Sequence, residues 1–168
     1  MNTFTNARAR YERDRSEACI ASAETLRPVI GVHFEIAEIG RAALDAVALQ
    51  WGSSKFDWDA VYQHHRGIDA FKFAIWFENS LCGLGVATTS GQSVKLRFLE
   101  GSPDINCPLK GRRILIALDV AANYGQRRGK RNLILEPINE TLIALYENVY
   151  GFKVVRTRKD PPYCIKGI

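Results

Sequence analysis

No run of apolar residues in this sequence is long enough to cross a membrane as a helix. No two of its cysteines, Cys19, Cys82, Cys107 and Cys164, form a C-x-x-C pair. Its three histidines, His33, His64 and His65, complete no zinc spacing, so no metal centre is expected. The N-terminal stretch MNTFTNARARYERDR is basic but has no apolar segment behind it, unlike a secretory signal. That pattern predicts a cytoplasmic location with reduced thiols. Internal repeats and low-complexity tracts are absent too.

What is there is enough to make a core. The chain has 168 residues, of which 46% are hydrophobic, so a single domain over residues 1–168 is expected. Its net charge of +5 is unevenly spread. Residues 1–91 carry 9 Lys and Arg against 11 Asp and Glu, whereas residues 92–168 carry 14 against 7. The C-terminal half therefore favours an anionic partner, and phosphates on a cofactor or on nucleic acid both satisfy that. The cluster QRRGKR, residues 126–131, has no interleaved aromatics for base stacking. It reads as a solvated turn; nucleic acid is a possible but not a favoured partner.

The order of elements follows from hydrophobic period. Asn6 to Leu26 is Ala- and charge-rich without Gly or Pro and predicts a helix, with Pro28 as its boundary. Val32, Ile36, Ile39, Ala43 and Val47 continue at helical spacing and predict a second helix to about Gln50. Residues 1–66 are thus expected to be a helical N-terminal region. From Phe71 the pattern turns to β-prone residues, with a hairpin interrupted at ENS and a third strand, SVKLRFLE. RRILIALDVAANYG predicts a helix stopping at Gly125, NLILEP a strand, and INETLIALYENVYGF a helix stopping at Gly151. FKVVRTR and YCIKG read as two closing strands. A strand–helix–strand step among antiparallel strands makes an α/β (α+β) fold, with a mixed, mostly antiparallel sheet flanked by helices over residues 70–168.

These stretches resemble the GNAT-type N-acyltransferases, which use acyl-coenzyme A. ENSLCGLGVATT is similar to that family's second hairpin, with Gly83 at the usual glycine. PLKGRR before an apolar helix sits where the family has its Q/R-x-x-G-x-G/A coenzyme A loop. NETLIALYENVYGFKVV resembles the family ending N-x-x-A-x-x-L-Y-x-x-x-G-F. The departures are Pro108 at the usual Gln or Arg, Arg113 at the usual Gly or Ala, Leu142 at the usual Ala, and one extra residue between Tyr146 and Gly151.

The resemblance implies acetyl transfer from acetyl-coenzyme A directly to an amine, with no metal. The acceptor is a small molecule, a protein or an aminoacyl-tRNA. Lys110, Gly111, Arg112 and Arg113 would cradle the pyrophosphate with backbone N–H groups, the Arg113 side chain pointing outward. The strand edge at Leu99 to Gly101 would pair with the pantetheine arm and polarise the thioester carbonyl. Asn139 would contact that arm or cap its helix. Tyr146 would be the acid and Glu100 the base. If the extra residue bulges after Tyr146, its hydroxyl faces the cleft; if the register slips earlier, Tyr146 is core. The rival expectation is a non-catalytic module of the same fold, its N-terminal helices forming a partner or homodimer surface.

Overall fold

The computed structural model of the chain describes residues 2–168. The elements run α1 (Thr3–Ile30), β1 (Glu35–Glu38), α2 (Arg41–Ala46), α3 (Trp58–His64), β2 (Phe71–Phe77), β3 (Ser80–Ser90) and β4 (Ser93–Gly101). They continue with α4 (Arg113–Arg127), β5 (Asn132–Leu135), α5 (Glu140–Asn148), β6 (Lys153–Val155) and β7 (Tyr163–Gly167). The seven strands form one sheet in the order β1-β2-β3-β4-β5-β7-β6. Only the β4–β5 pair is parallel, and α4 makes the crossover it requires. The expected mixed, mostly antiparallel sheet flanked by helices is what forms.

Three expectations are corrected. Pro28 lies inside α1 rather than beyond it. It falls in the last turn, where losing one N–H interrupts little of the helix. The stop is Gly31, which takes φ 76°, and its amide bonds the Arg27 carbonyl at 2.8 Å. The second helix proposed from Val32 does not exist as one element. Its first part is β1, so residues 1–66 are not wholly helical. EIAE buries only Ile36 and pairs with β2 from Glu35 opposite Trp76 to Glu38 opposite Phe73. Val47–Trp51 then widens into a π-helical turn, in which Gln50 bonds the carbonyl of Asn79 and the amide of Leu81.

Gly125 does not stop α4, which continues to Arg127. A Cβ at Gly125 would stand 2.5 Å from Cγ1 of Val94 on β4, so the glycine is there to let helix and sheet meet. The core has two layers. Phe71, Phe73 and Ile75 pack with α1 and α4 on one face, and Ala74, Leu84 and Val86 pack with α2 and α3 on the other. Gly85 leaves space for the Phe73 ring, which would lie 2.3 Å from a Cβ there.

α1 is tied to α4 by polar contacts as well. Ser22 Oγ donates to Asp119 Oδ2 at 2.7 Å, Arg127 pairs with Glu17 at 2.7 Å, and Arg128 pairs with Asp14 at 2.6 Å. Arg128 also lies over the Tyr11 ring at 3.6 Å. The cluster QRRGKR is therefore not simply a solvated turn, because two of its arginines hold the N-terminal helix.

All four cysteines are free and buried. Burial, with a smaller push from Glu38, raises the Cys19 thiol to about 12. Burial and then the neighbouring Cys107 raise the Cys82 thiol to about 12. Burial also raises the Tyr124 phenol, which donates to the Asp69 carbonyl at 2.6 Å.

Two predictions follow from this packing. Gly125→Ala gains about 1 kcal/mol of helix propensity but forces Val94 aside. A net loss of about 1–2 kcal/mol is expected, read as a lower urea midpoint at unchanged slope. The raised thiols stabilise the fold in full below the ordinary thiol value of about 8.5. Stability should then fall as pH rises from there through about 12, because only the unfolded chain ionises freely. Urea melts between pH 7 and 11 measure that slope, and Cys19→Ala should flatten it.

Candidate active site

β4 and β5 hydrogen-bond over four residue pairs, from Ser93 opposite Asn132 to Leu96 opposite Leu135, and then part. Beyond that point β5 ends while β4 runs on to Gly101 against β3 alone. The register between β3 and β4 shifts there: Val86 faces Phe98 but Ala87 faces Leu96, which leaves Arg97 as a bulge. A cleft of about 630 Å³ opens between the strands. Leu99, Glu100, Gly101, Arg113, Leu142 and Tyr146 all line it.

The sheet ladder sets which amides face the cleft. Ser102 N–H bonds the Cys82 carbonyl at 2.9 Å, so alternation along an antiparallel strand sends the Glu100 amide to β3 as well. The amides of Leu99 and Gly101 point the other way, toward the cleft, where no strand pairs with them. This is the free edge that the sequence placed at Leu99 to Gly101.

Glu100 is not a solvated strand-end carboxylate, being only 8% exposed. Its Oε2 accepts from the Lys55 amide at 2.7 Å. Its Oε1 accepts from the Phe56 amide at 3.2 Å and from the Trp58 indole at 2.9 Å. The carboxylate thus fastens the loop before α3 across the end of β4. Phe56, Trp58 and Phe98 meet edge-to-face around this point, and His65 packs on Phe98 with centroids 5.5 Å apart. Ser53, Ser54, Lys55 and Phe56 of the same loop join the cleft lining, a contribution the sequence reading missed. Trp58 beside the helix cap Asp57 was the available signal, since a buried indole needs an acceptor.

Tyr146 is 6% exposed and packs on Phe152 and Tyr150. Tyr146 lines the cleft, and among the described residues its hydroxyl makes no hydrogen bond, yet it is not an enclosed orphan either. Burial first, then Cys164 and Tyr150, raise its pKa, so the phenol keeps its proton at neutral pH. The extra residue before Gly151 is absorbed after Tyr146. α5 ends at Asn148, Gly151 takes φ 73°, and the Phe152 amide reaches back to the Tyr146 carbonyl at 3.0 Å.

Asn139 caps α5, its side chain accepting from the Leu142 amide at 2.9 Å, and lies outside the lining. Lys110, Gly111 and Arg112 form the turn before α4 and are not part of the cleft lining, which takes up the chain again at Arg113. Gly111 takes φ 84°, with open space where a Cβ would be. The first-turn amides of α4 precede its own ladder and leave their donors outward.

Arg113 is the correction here. Its side chain does not point outward but folds onto the end of β4. Nη1 donates to the Ser102 carbonyl at 2.7 Å and lies 3.5 Å from the Cys82 carbonyl. Its guanidinium occupies the notch left by Gly101, where a Cβ would sit 2.4 Å from Cζ. Among the described residues no three His, Cys, Asp or Glu side chains come together as a metal group. None of the described helices is long and apolar enough to cross a membrane.

No family model and no curated protein matches the sequence. Solved structures match by shape. The ribosomal-protein-S18-alanine N-acetyltransferase from Escherichia coli aligns at a TM-score of 0.57 and 19% identity, over 80% of this chain and 92% of that one. The PaiA N-acetyltransferase from Thermoplasma acidophilum, in complex with coenzyme A, aligns at 0.57 and 16% identity, over 80% and 99%. The GNAT domain of S. lividans PAT aligns at 0.60 and 12% identity, over 80% and 90%. At these identities the likeness is one of fold.

The Glu100 anchor is testable apart from any activity. Glu100→Ala leaves three donors without their acceptor and should cost about 2–4 kcal/mol. Amide exchange at Lys55 and Phe56 should accelerate more than at Val86 in the sheet. Uniform acceleration would show that the loop is not held by this carboxylate.

Proposed function

We propose that this chain, whose fold is that of the GNAT-type acyl-coenzyme A N-acyltransferases, transfers an acetyl or related short acyl group from a coenzyme A thioester to an amine. The observation that carries the reading is Tyr146, which lines the cleft that opens where β4 and β5 part and whose hydroxyl has no hydrogen-bond partner among the described residues. A tyrosine kept only for packing would have its hydroxyl partnered.

The residues present fit coenzyme A. Lys110 and Arg112 flank a left-handed glycine turn at the N-terminus of α4, where outward amides and the helix dipole favour a pyrophosphate. The unpaired amides of Leu99 and Gly101 suit an added strand of pantetheine amides, and one of them can donate to the thioester oxygen. The thioester supplies an acyl group already activated for attack.

The chain's own groups handle the protons. Tyr146 holds its proton at neutral pH and can give it to the sulfur that leaves. Glu100 is the candidate base. Its Oε2 accepts a single bond, from Lys55, and keeps lone pairs for a water or an ammonium proton. The loop that Glu100 fastens forms the acceptor side of the cleft, so acceptor choice depends on Ser53 to Phe56. A cytoplasmic setting with a small amine, a protein or an aminoacyl-tRNA as acceptor belongs to the same proposal. Pairing of Arg127 and Arg128 with α1 leaves less free basic surface for RNA.

Calorimetry with acetyl-coenzyme A comes first, and no binding at millimolar ligand would favour a non-catalytic module of this fold. With an amine panel and release of free coenzyme A thiol as the readout, Tyr146→Phe should lower kcat about a hundredfold. Its acetyl-coenzyme A affinity should stay within about twofold, since the hydroxyl acts on the leaving sulfur and not on binding. Unchanged turnover would remove Tyr146 from the mechanism.

A further inference from the structure

We propose that the acyl group this cleft is built to accept carries a carboxylate, as malonyl and succinyl groups do, and that Arg113 receives it. The proposal rests on the acyl-coenzyme A reading above and narrows its donor.

Three observations lead there. The first is an unanswered charge. Arg113 lines the cleft half-buried, and its hydrogen-bond acceptors are two neutral carbonyls. Among the described residues no carboxylate pairs with it. The two carboxylates in the lining are already engaged, Glu100 by the loop before α3 and Glu136 by Lys95 at 2.8 Å. A guanidinium taken partly out of water without a counter-ion is a standing demand for an anion.

The second is direction. Phosphates at the N-terminus of α4 would meet the amides of the helix and the side chains of Lys110 and Arg112. The Arg113 side chain leaves that end and lies over Gly101, beside the β4 amides assigned to the thioester. Its charge therefore stands at the acyl end of the donor and not at the phosphate end.

The third is fit. The guanidinium seats on β4 only because residue 101 has no side chain, so Gly101 and Arg113 act as a pair. The carbonyl contacts use Nη1 alone, leaving Nε and Nη2 for the two-pronged grip that guanidinium makes on carboxylate. A neutral acetyl group would leave those donors unused. The transfer itself is unchanged: the amine nitrogen bonds the carbonyl carbon, the carbon–sulfur bond breaks, the amine proton goes to the base and Tyr146 protonates the thiolate. The distal carboxylate is not consumed.

The test needs no acceptor. Free coenzyme A, butyryl-coenzyme A and succinyl-coenzyme A are titrated calorimetrically into the wild type and into Arg113→Met and Arg113→Lys, each shown folded by its melting curve. The butyryl and succinyl chains are equal in length and differ in the terminal carboxylate. The wild type should bind the succinyl thioester about tenfold more tightly than the butyryl one, the size of one charge-assisted hydrogen-bonded pair. Arg113→Met should erase that preference without weakening free coenzyme A, and Arg113→Lys should keep part of it. Equal binding of the two thioesters by the wild type overturns the proposal whatever the variants do. A parallel loss for all three ligands in Arg113→Met overturns it too, and assigns the guanidinium to the phosphates. Failure of every coenzyme A species to bind the wild type rejects the underlying donor reading itself.

Discussion

β4 and β5 are hydrogen-bonded for four pairs and no more, and the rest of the site depends on that limit. A sheet that stayed zipped to Gly101 would have no free strand edge, no cleft and no route for a tyrosine on α5 to reach β4. Two local features enforce the parting. The bulge at Arg97 turns β4 away, and β5 stops at Leu135 before Pro137, which cannot donate to a ladder. The backbone polar groups released on β4 have no partner within the sheet. They are the groups a ligand with its own amides would satisfy.

Around that opening the side chains divide the labour by charge. Glu100 reaches inward to the loop before α3 and fixes a stretch of Gly, Ser and Lys as a wall of the cleft. Arg113 is spent on the β4 end, with donors to spare. Tyr146 is spent on nothing, and its neutral hydroxyl is the group left open. A carboxyl group, a guanidinium and a phenol thus share one concavity without pairing with one another.

Much of this was legible in the sequence, and the parts that were not share a cause. The strands from Phe71 to Gly101, the helix after the glycine turn and the closing strands all declare themselves by period. β1 did not, because EIAE buries one residue, and Ile36 also fits a helical spacing with Val32 and Ile39. The glycines were harder. Gly125 looked like a helix stop but serves a contact with Val94, and Gly101, expected only as part of the strand edge, also seats Arg113. Both depend on a neighbour far along the chain, and no local pattern reports that. The same holds for Glu100, whose three donors lie 42 to 45 residues earlier.

The long N-terminal helix also has a kinetic side. The partners that bury and pair its inner face, Asp119 and Arg128, lie 97 and 114 residues downstream of Ser22 and Asp14. On a ribosome, Ala18, Ala23 and Leu26 emerge early and wait until α4 has been synthesised. Closing loops of that length before any contact rewards it slows folding. The helix that locks the finished protein is thus also the segment most in need of protection, by a chaperone or by its own charged outer face, while the chain is being made.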